Sequence, residues 1–280
     1  MLDRIRAQRD KLSPSEQRVA DAVVRHPEAV LRSPISRIAQ MAGVSQPTVV
    51  RFCRSMACTG LVDFKLRMAR SSTVGTPFVH NQVAPGDGTN DIASKVIDNA
   101  VSSLMRSRSN MDSNALEAAV TALSAARRIE FYGLGNSGIT VQDAQHKFFR
   151  LGIPCVAYND PHVQGMAATL LSAGDVVLVI SASGRTIDLI NAVHCASARG
   201  ATVIAITQGD TPLARAADIT LRADTQEDPD IYSSMTTRII HLVFIDILAV
   251  AVAVRGGAAM SENLARAKQS LHDRRLSISA

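Results

Sequence analysis

The chain changes its hydrophobic period near its middle. Through the first 70 residues the apolar positions recur at helical spacing in short segments, and each segment predicts a short helix. The clearest follows Ser13-Pro14-Ser15-Glu16, a capping box with proline at the first helical position. It continues through Val19, Ala20, Val23 and Val24 and is expected to stop near Pro27. Asp91–Met105 and Asn114–Arg127 predict two further helices. Beyond them come short apolar runs at Ile129–Tyr132, Ile153–Tyr158, Asp175–Ser181, Thr202–Thr207 and Ile219–Leu221, with helix-like stretches in the gaps. Such alternation predicts a parallel sheet covered on both faces. The expected fold class is therefore two-domain: an N-terminal all-α domain, then a C-terminal α/β domain with a five-stranded parallel sheet of order 2-1-3-4-5 and long helices at its end.

Between the two patterns, 13 of the 20 residues of Ser71–Asn90 are Ser, Thr, Gly, Pro, Asn or Asp, which reads as an interdomain linker. This places the helical domain at residues 1–75, a linker and connecting helix at 76–110, and the α/β domain at 111–280. Composition agrees with two ordinary globular domains: 280 residues, 46% hydrophobic and 20% charged. Charge changes the picture more. Residues 1–80 hold 13 Lys and Arg against 6 Asp and Glu, a net +7, whereas residues 81–280 hold 17 against 19, a net −2. A basic helical domain joined to a near-neutral one points to a polyanion partner for the first.

Four cysteines, Cys53, Cys58, Cys155 and Cys195, form no C-x-x-C, and no histidine cluster has metal-ligand spacing, so reduced thiols and no metal are expected. The N-terminus opens with charge and lacks the apolar core of a signal peptide, which makes the cytoplasm the expected location. Ile239–Val254 is apolar apart from His241 and Asp246, but its 16 positions fall short of the ~20 that span a bilayer. A buried or interfacial helix is expected there, with no membrane partner. Asp246 then needs a cationic partner, which the sequence does not identify.

Within the basic domain, residues 35–54 have the form of two short helices around a tight turn. Gly43 supplies the turn, and Ser45 stands as N-cap of the second helix. In that helix Val49, Phe52, Cys53 and Met56 make one apolar stripe, leaving Gln46, Thr48, Arg51, Arg54 and Ser55 outside it. Arginine and glutamine in such positions can read base edges in a major groove. A structural hairpin with a solvated face would show the same pattern, but not the local charge. The expected DNA contacts are Ser45, Gln46, Thr48, Arg51 and Arg54, with Arg37 and Lys65 as candidates for phosphate contact.

In the α/β domain, Gly133-Leu134-Gly135-Asn136-Ser137-Gly138 ends the first strand and opens a helix. It matches G-x-G-x-x-G, and Asp160 follows near the end of the second strand, so a dinucleotide site is one reading. The third strand ends in Ser181-Ala182-Ser183-Gly184-Arg185-Thr186, whose hydroxyls and free helix amides suit a phosphate monoester. At the 2-1-3 switch point the two loops face one crevice, which favours a sugar phosphate over a dinucleotide. The expected ligand set is Gly135, Asn136, Ser137, Ser181, Ser183, Gly184, Arg185 and Thr186. His146 and Lys147 read as surface or interface residues, and His162 as an exposed loop residue. If the crevice were an isomerase site instead, Glu130 and Asp160 would be the nearest candidates for its general base.

These two halves together resemble the RpiR family of bacterial transcriptional regulators, which join a helix-turn-helix domain to a sugar isomerase (SIS) domain. The resemblance rests on Ala39-Gln40-Met41-Ala42-Gly43-Val44-Ser45 with Thr48-Val49 and Arg51-Phe52-Cys53-Arg54, and on the S-x-S-G-x-T loop at Ser181–Thr186. Gly75-Thr76-Pro77, residues 143–150, Asp230-Ile231-Tyr232, Met235-Thr236 and Arg238-Ile239-Ile240 are similar, more narrowly, to family members that govern hexose catabolism. The resemblance implies phosphate binding by Ser137 and Ser181, supported by Ser183 and Thr186. It also implies a sugar-phosphate effector such as 2-keto-3-deoxy-6-phosphogluconate, a palindromic double-stranded operator, repression of hexose-catabolism genes, a homo-dimer or tetramer, and neither enzyme activity nor a cofactor. Two positions depart from the family pattern. Ala57 stands where relatives carry Gly after the recognition helix, and Arg185 where many sugar-phosphate-binding SIS domains have Glu. An arginine there opposes proton abstraction and favours an anionic ligand with a carboxylate beside its phosphate. Two other functions remain open at this point: a sugar-phosphate isomerase with an accessory N-terminal domain, and a nicotinamide-sensing regulator.

Overall fold

The computed structural model describes residues 2–71, 80, 82–84, 86–230 and 234–270. Half of the expected linker, with Gly75-Thr76-Pro77, lies outside the described residues, as does Ile231-Tyr232. The chain divides into two compact units, residues 1–92 and 93–280.

In the first unit the elements are α1 (Leu2–Gln8), α2 (Pro14–Arg25), α3 (Pro27–Arg32), α4 (Ile35–Ala42), α5 (Gln46–Ser55) and α6 (Leu61–Ser71). Their apolar stripes meet in one core that includes Ile5, Val19, Val23, Ile38, Val49, Phe52 and Phe64, with the two phenylalanine rings edge to face at 5.5 Å. The capping box forms: the Ser13 N–H donates to Glu16 Oε2 at 3.2 Å. Glu16 Oε1 also accepts from the Ser55 hydroxyl at 2.8 Å, so one carboxylate ties the start of α2 to the end of α5. The Ser13 hydroxyl, more than any other neighbour, holds the Glu16 carboxyl below the usual carboxylate range.

Helix α5 closes with the Cys58 N–H on the Cys53 carbonyl, and this end forces Ala57 to φ +51°. A Cβ in that left-handed region costs ~1–2 kcal/mol, and the Ala57 side chain is exposed. Ala57→Gly is therefore expected to raise stability by up to about 1 kcal/mol once the greater freedom of the unfolded glycine is subtracted. Urea unfolding measures it, and a destabilised variant would show that the methyl contributes packing.

In the second unit the elements are α7 (Thr89–Ser109, its first turn counted with the first unit), α8 (Ser113–Ser124), β1 (Arg128–Tyr132), α9 (Asn136–Phe148), β2 (Cys155–Tyr158), α10 (Pro161–Thr169), β3 (Asp175–Ser181), α11 (Ile187–Ala198), β4 (Thr202–Thr207), α12 (Pro212–Ala216), β5 (Ile219–Arg222), α13 (Met235–Arg255) and α14 (Gly257–Gln269). The strands pair in parallel in the order β2-β1-β3-β4-β5, with Ile129 level with Cys155 and Val176, and Ser181 level with Thr207. Every residue of β3 is buried. Because successive side chains alternate faces, Val176, Leu178 and Ile180 join a core with α8, α9 and α13, while Val177 and Val179 join a second core with α10 and α11.

Two helices carry features that the sequence pattern does not show. Helix α13 runs 21 residues, five more than the apolar run, and is long and apolar enough to cross a membrane by length and composition. Here Ile240, Phe244, Ile245, Leu248 and Val252 are instead buried in the core beside the sheet. Asp246 is more than half exposed and finds its cation in Lys147 on α9. Helix α7 is inverted: Asn99, Ser103 and Ser107 are buried, while Ile97, Val101 and Met105 are 61%, 53% and 56% exposed. Asn99 Nδ2 donates to Thr236 Oγ1 at 2.9 Å, which satisfies this buried amide.

Candidate functional sites

In the first unit, α4, Gly43 and α5 form the expected helix-turn-helix. Gly43 sits at φ 62°, ψ 40° and Ser45 occupies the N-cap of α5. The Ser45 hydroxyl does not cap the helix amides, however. It pairs with Thr48 Oγ1 at 3.0 Å, and Arg51 Nη2 donates to the same threonine oxygen at 3.3 Å. Thr48 is only 5% exposed, which corrects its assignment to the DNA-facing set: it braces Ser45 and Arg51 from beneath. Gln46, Arg51 and Arg54 remain exposed on one element, available to base edges or phosphates. Arg37 is exposed and donates to Gln40 Oε1 at 2.7 Å. Lys65 donates to the Ser33 carbonyl and so braces α6 against the end of α3, a structural use that its reading as a phosphate contact did not include.

In the second unit a cavity of about 330 Å³ opens at the carboxyl ends of β1 and β3, within the range of small-ligand sites. These strands are neighbours, but the chain leaves them on opposite faces, into α9 and α11, so the loops between strand and helix stand apart and frame a crevice. Leu134, Asn136 and Ser137 line it from the first loop, and Ser181, Ala182, Ser183 and Thr186 from the second. Ser137 is 8% exposed and Ser181 4%. Neither serine is a helix cap, for the N-caps of α9 and α11 are Gly135 and Thr186. Ser181 Oγ accepts the Gly184 N–H at 3.1 Å and Ser183 Oγ the Arg185 N–H at 3.3 Å. Each serine thus shapes the loop with a lone pair and keeps its own proton to donate. Thr186 makes no side-chain cap bond, leaving the first amides of α11 to an anion.

Gly184 is what lets this loop close. It lies at φ +61°, and a Cβ there would stand 2.7 Å from Thr207 Oγ1 and closer still to Thr211. Its carbonyl accepts the Leu213 N–H at 3.0 Å, fixing the loop to α12. Arg185 does not itself line the cavity, and its Nη2 meets Oδ1 of Asp230, which does, at 2.6 Å.

The sequence reading did not include the third wall of the crevice as ligand-binding. Pro229, Asp230 and Ser234 line the cavity from the segment before α13. That segment is held by Glu227, 5% exposed, whose carboxylate accepts the Thr236 and Thr237 N–H groups, both at 2.8 Å, and the Thr237 hydroxyl at 2.7 Å. This is an N-terminal cap supplied from eight residues before the helix, beyond the spacing of a capping box. The two carboxylates considered as bases are engaged elsewhere. Glu130 is buried in β1, accepts the Tyr132 hydroxyl at 2.6 Å and faces Arg128 at 3.6 Å. Asp160 caps α10 by accepting the Val163 N–H at 2.9 Å, which also occupies the group a dinucleotide ribose would need. His162 is exposed on the first turn of α10 rather than in a loop.

A helix-turn-helix unit followed by a doubly covered parallel sheet with a hydroxyl-lined crevice defines the two-domain class in which a DNA-binding module precedes a sugar-isomerase-type module. Family models match both halves: the helix-turn-helix domain of the rpiR family over residues 1–74 and the SIS domain over residues 122–251. The chain belongs to the RpiR family of helix-turn-helix transcriptional regulators. It is 40% identical over 275 residues to the transcriptional regulator HexR of Escherichia coli, covering 98% of this chain and 95% of that one. It is 48% identical over 276 residues to the bifunctional protein glk of Paraburkholderia xenovorans, and there it spans only 43% of the relative's length. In structure it is similar to the Vibrio vulnificus NanR protein complexed with ManNAc-6P, with a TM-score of 0.65, 24% identity and 99% of each chain covered.

Proposed function

We propose that this chain regulates transcription of hexose-catabolism genes as a repressor, reading a palindromic duplex operator with α5 and responding to a phosphorylated sugar acid held in the crevice of the second unit. The observation that carries this reading is the pair of buried serines, Ser137 and Ser181, converging on one cavity without serving as helix caps. The relation to HexR over nearly both full lengths supports the same reading, and the sugar phosphate bound by NanR supports the ligand class. Under this reading the domains are 1–75, 76–110 and 111–280, the location is the cytoplasm, and no reaction or cofactor is assigned to the crevice.

A ligand acts in this way only by binding two arrangements with different affinity, and coupling of ~1–3 kcal/mol changes operator affinity ~5–150-fold. Operator titration with and without 2-keto-3-deoxy-6-phosphogluconate reads that ratio. Ser137→Ala and Ser181→Ala are each expected to keep operator affinity but weaken effector binding by roughly one to two orders of magnitude, since a hydrogen bond to a charged group contributes ~1.5–3 kcal/mol. Calorimetry showing normal effector affinity in both variants would end the assignment of this crevice.

The assembly proposed is a homo-dimer. Helix α7 supports it: the exposed stripe Ile97, Val101 and Met105 recurs every fourth residue beside an apolar recess of about 230 Å³ lined by Leu104, Met111, Ile240 and Phe244. A knob and a recess on one face are what a two-fold pairing of identical surfaces uses, and two half-sites need two recognition helices. Val101→Glu is expected to yield monomers by light scattering, with operator affinity lost. A stable oligomer in that variant would move the interface elsewhere.

A further inference from the structure

Arg185 and Asp230 carry an inference about ligand choice, which rests on the crevice being a sugar-phosphate site. Among the described residues lining the cavity, Asp230 is the only charged one. The phosphate is therefore met by hydroxyls and helix amides alone. The nearest cation in the lining loops is Arg185, and in the free protein Asp230 holds it through one contact, Nη2 to Oδ1 at 2.6 Å. The two side chains are 52% and 60% exposed, and an ion pair this wet is weakly held. One contact also leaves the rest of the guanidinium fork without a carboxylate.

We propose that Asp230 is an internal stand-in for a ligand carboxylate, and that Arg185 selects sugar acid phosphates over neutral sugar phosphates by exchanging Asp230 for that carboxylate. A phosphate seated between Ser137 and Ser181 leaves the far end of the ligand near the rim, where the pair lies. A carboxylate arriving there replaces the anion that Arg185 gives up, with two acceptor oxygens for its planar fork. An alcohol in the same place offers no charge and leaves Asp230 facing the ligand. The same exchange frees the segment bearing Asp230 from the loop bearing Arg185, so an acid and an alcohol of equal length leave the rim of the crevice in different states.

The test uses two probes alike except at one carbon: 6-phosphogluconate, with a carboxylate, and glucitol 6-phosphate, with an alcohol. Calorimetry on the wild-type chain is expected to show a preference of about tenfold for the acid, the worth of one charge-assisted hydrogen bond. Arg185→Gln removes the preference, chiefly by weakening the acid. Asp230→Asn widens it, because the competitor loses its charge, and tightens the acid several-fold. If Arg185→Gln keeps the preference, or Asp230→Asn weakens both probes alike, the pair only braces the loop and the inference fails. Equal binding of both probes to the wild-type chain also overturns it while leaving the crevice a sugar-phosphate site. Binding of neither probe removes the underlying assignment as well. Thermal melts of both variants identify any that do not fold, and Arg185→Lys, which keeps the charge, then supplies the comparison: it retains part of the preference if charge selects the acid, and its complete loss of acid binding with alcohol binding intact marks the planar fork as the selector. A Lys variant indistinguishable from wild type in a chain where Gln is also silent overturns the proposal.

Discussion

Replacing Gly184 by alanine is expected to cost about 3 kcal/mol of stability and to abolish effector binding. The left-handed backbone charges any Cβ ~1–2 kcal/mol, and overpacking a filled site adds ~1–3 kcal/mol. The added carbon would meet Thr207, fully buried at the end of β4, and Thr211 at the N-cap of α12. Relief has to come from the loop, which carries Ser181 and Ser183 out of the crevice. Gly200 provides the control: its φ is +81°, but the nearest atoms a Cβ would meet lie 3.7 Å away, so Gly200→Ala bears the backbone strain alone. For a unit of this size ~1 kcal/mol moves the melting temperature by ~2–4 °C, which places Gly184→Ala roughly 10 °C below wild type. Equal melting temperatures for the two variants would show that the threonines give way cheaply.

Arg51→Ala and Arg54→Ala are each expected to weaken operator binding by ~1–3 kcal/mol and to leave effector affinity and melting temperature unchanged. Both guanidinium groups are exposed on α5, and no described ion pair engages either. Arg51 is held at its root by Thr48, so Thr48→Ala should weaken binding too, though less, by loosening Arg51 and exposing no contact of its own. Titrating a set of operators with single base changes separates the roles. A loss confined to particular base pairs marks base readout, whereas a uniform loss with a shallower salt dependence marks a phosphate contact. An affinity unchanged for every duplex removes that arginine from the interface.

Much of the fold is legible in local pattern, and the parts that are not share one cause. Strands β3 and β4 match their predicted spans of Asp175–Ser181 and Thr202–Thr207, because a strand buried on both faces must be continuously apolar. The turn at Gly43, the helix start at Ser137 and the strand end at Ser181 are equally local. What the sequence conceals is set by distant partners. Thr48 lies outside the apolar stripe yet is buried, because Ser45 and Arg51 close over it. Lys147 and Asp246 are 99 positions apart with nothing in their spacing to pair them. The burial of Asn99 in place of Ile97 depends on Thr236, and the wall bearing Asp230 depends on Glu227 reaching nine and ten residues forward. The departure at Ala57 is legible as a deviation from relatives, but only its φ reveals what the missing glycine would have relieved.

The cap that Glu227 places on α13 gives the crevice a fulcrum. On one side of it Asp230 lines the cavity; on the other, Thr236 takes the Asn99 amide of α7. Three hydrogen bonds fix that cap, so Glu227, three residues before Asp230, is tied directly to the first turn of α13. Helix α9, which begins at the opposite wall with Asn136 and Ser137, packs against that same α13. Two walls of one small cavity thus meet on a single helix of 21 residues.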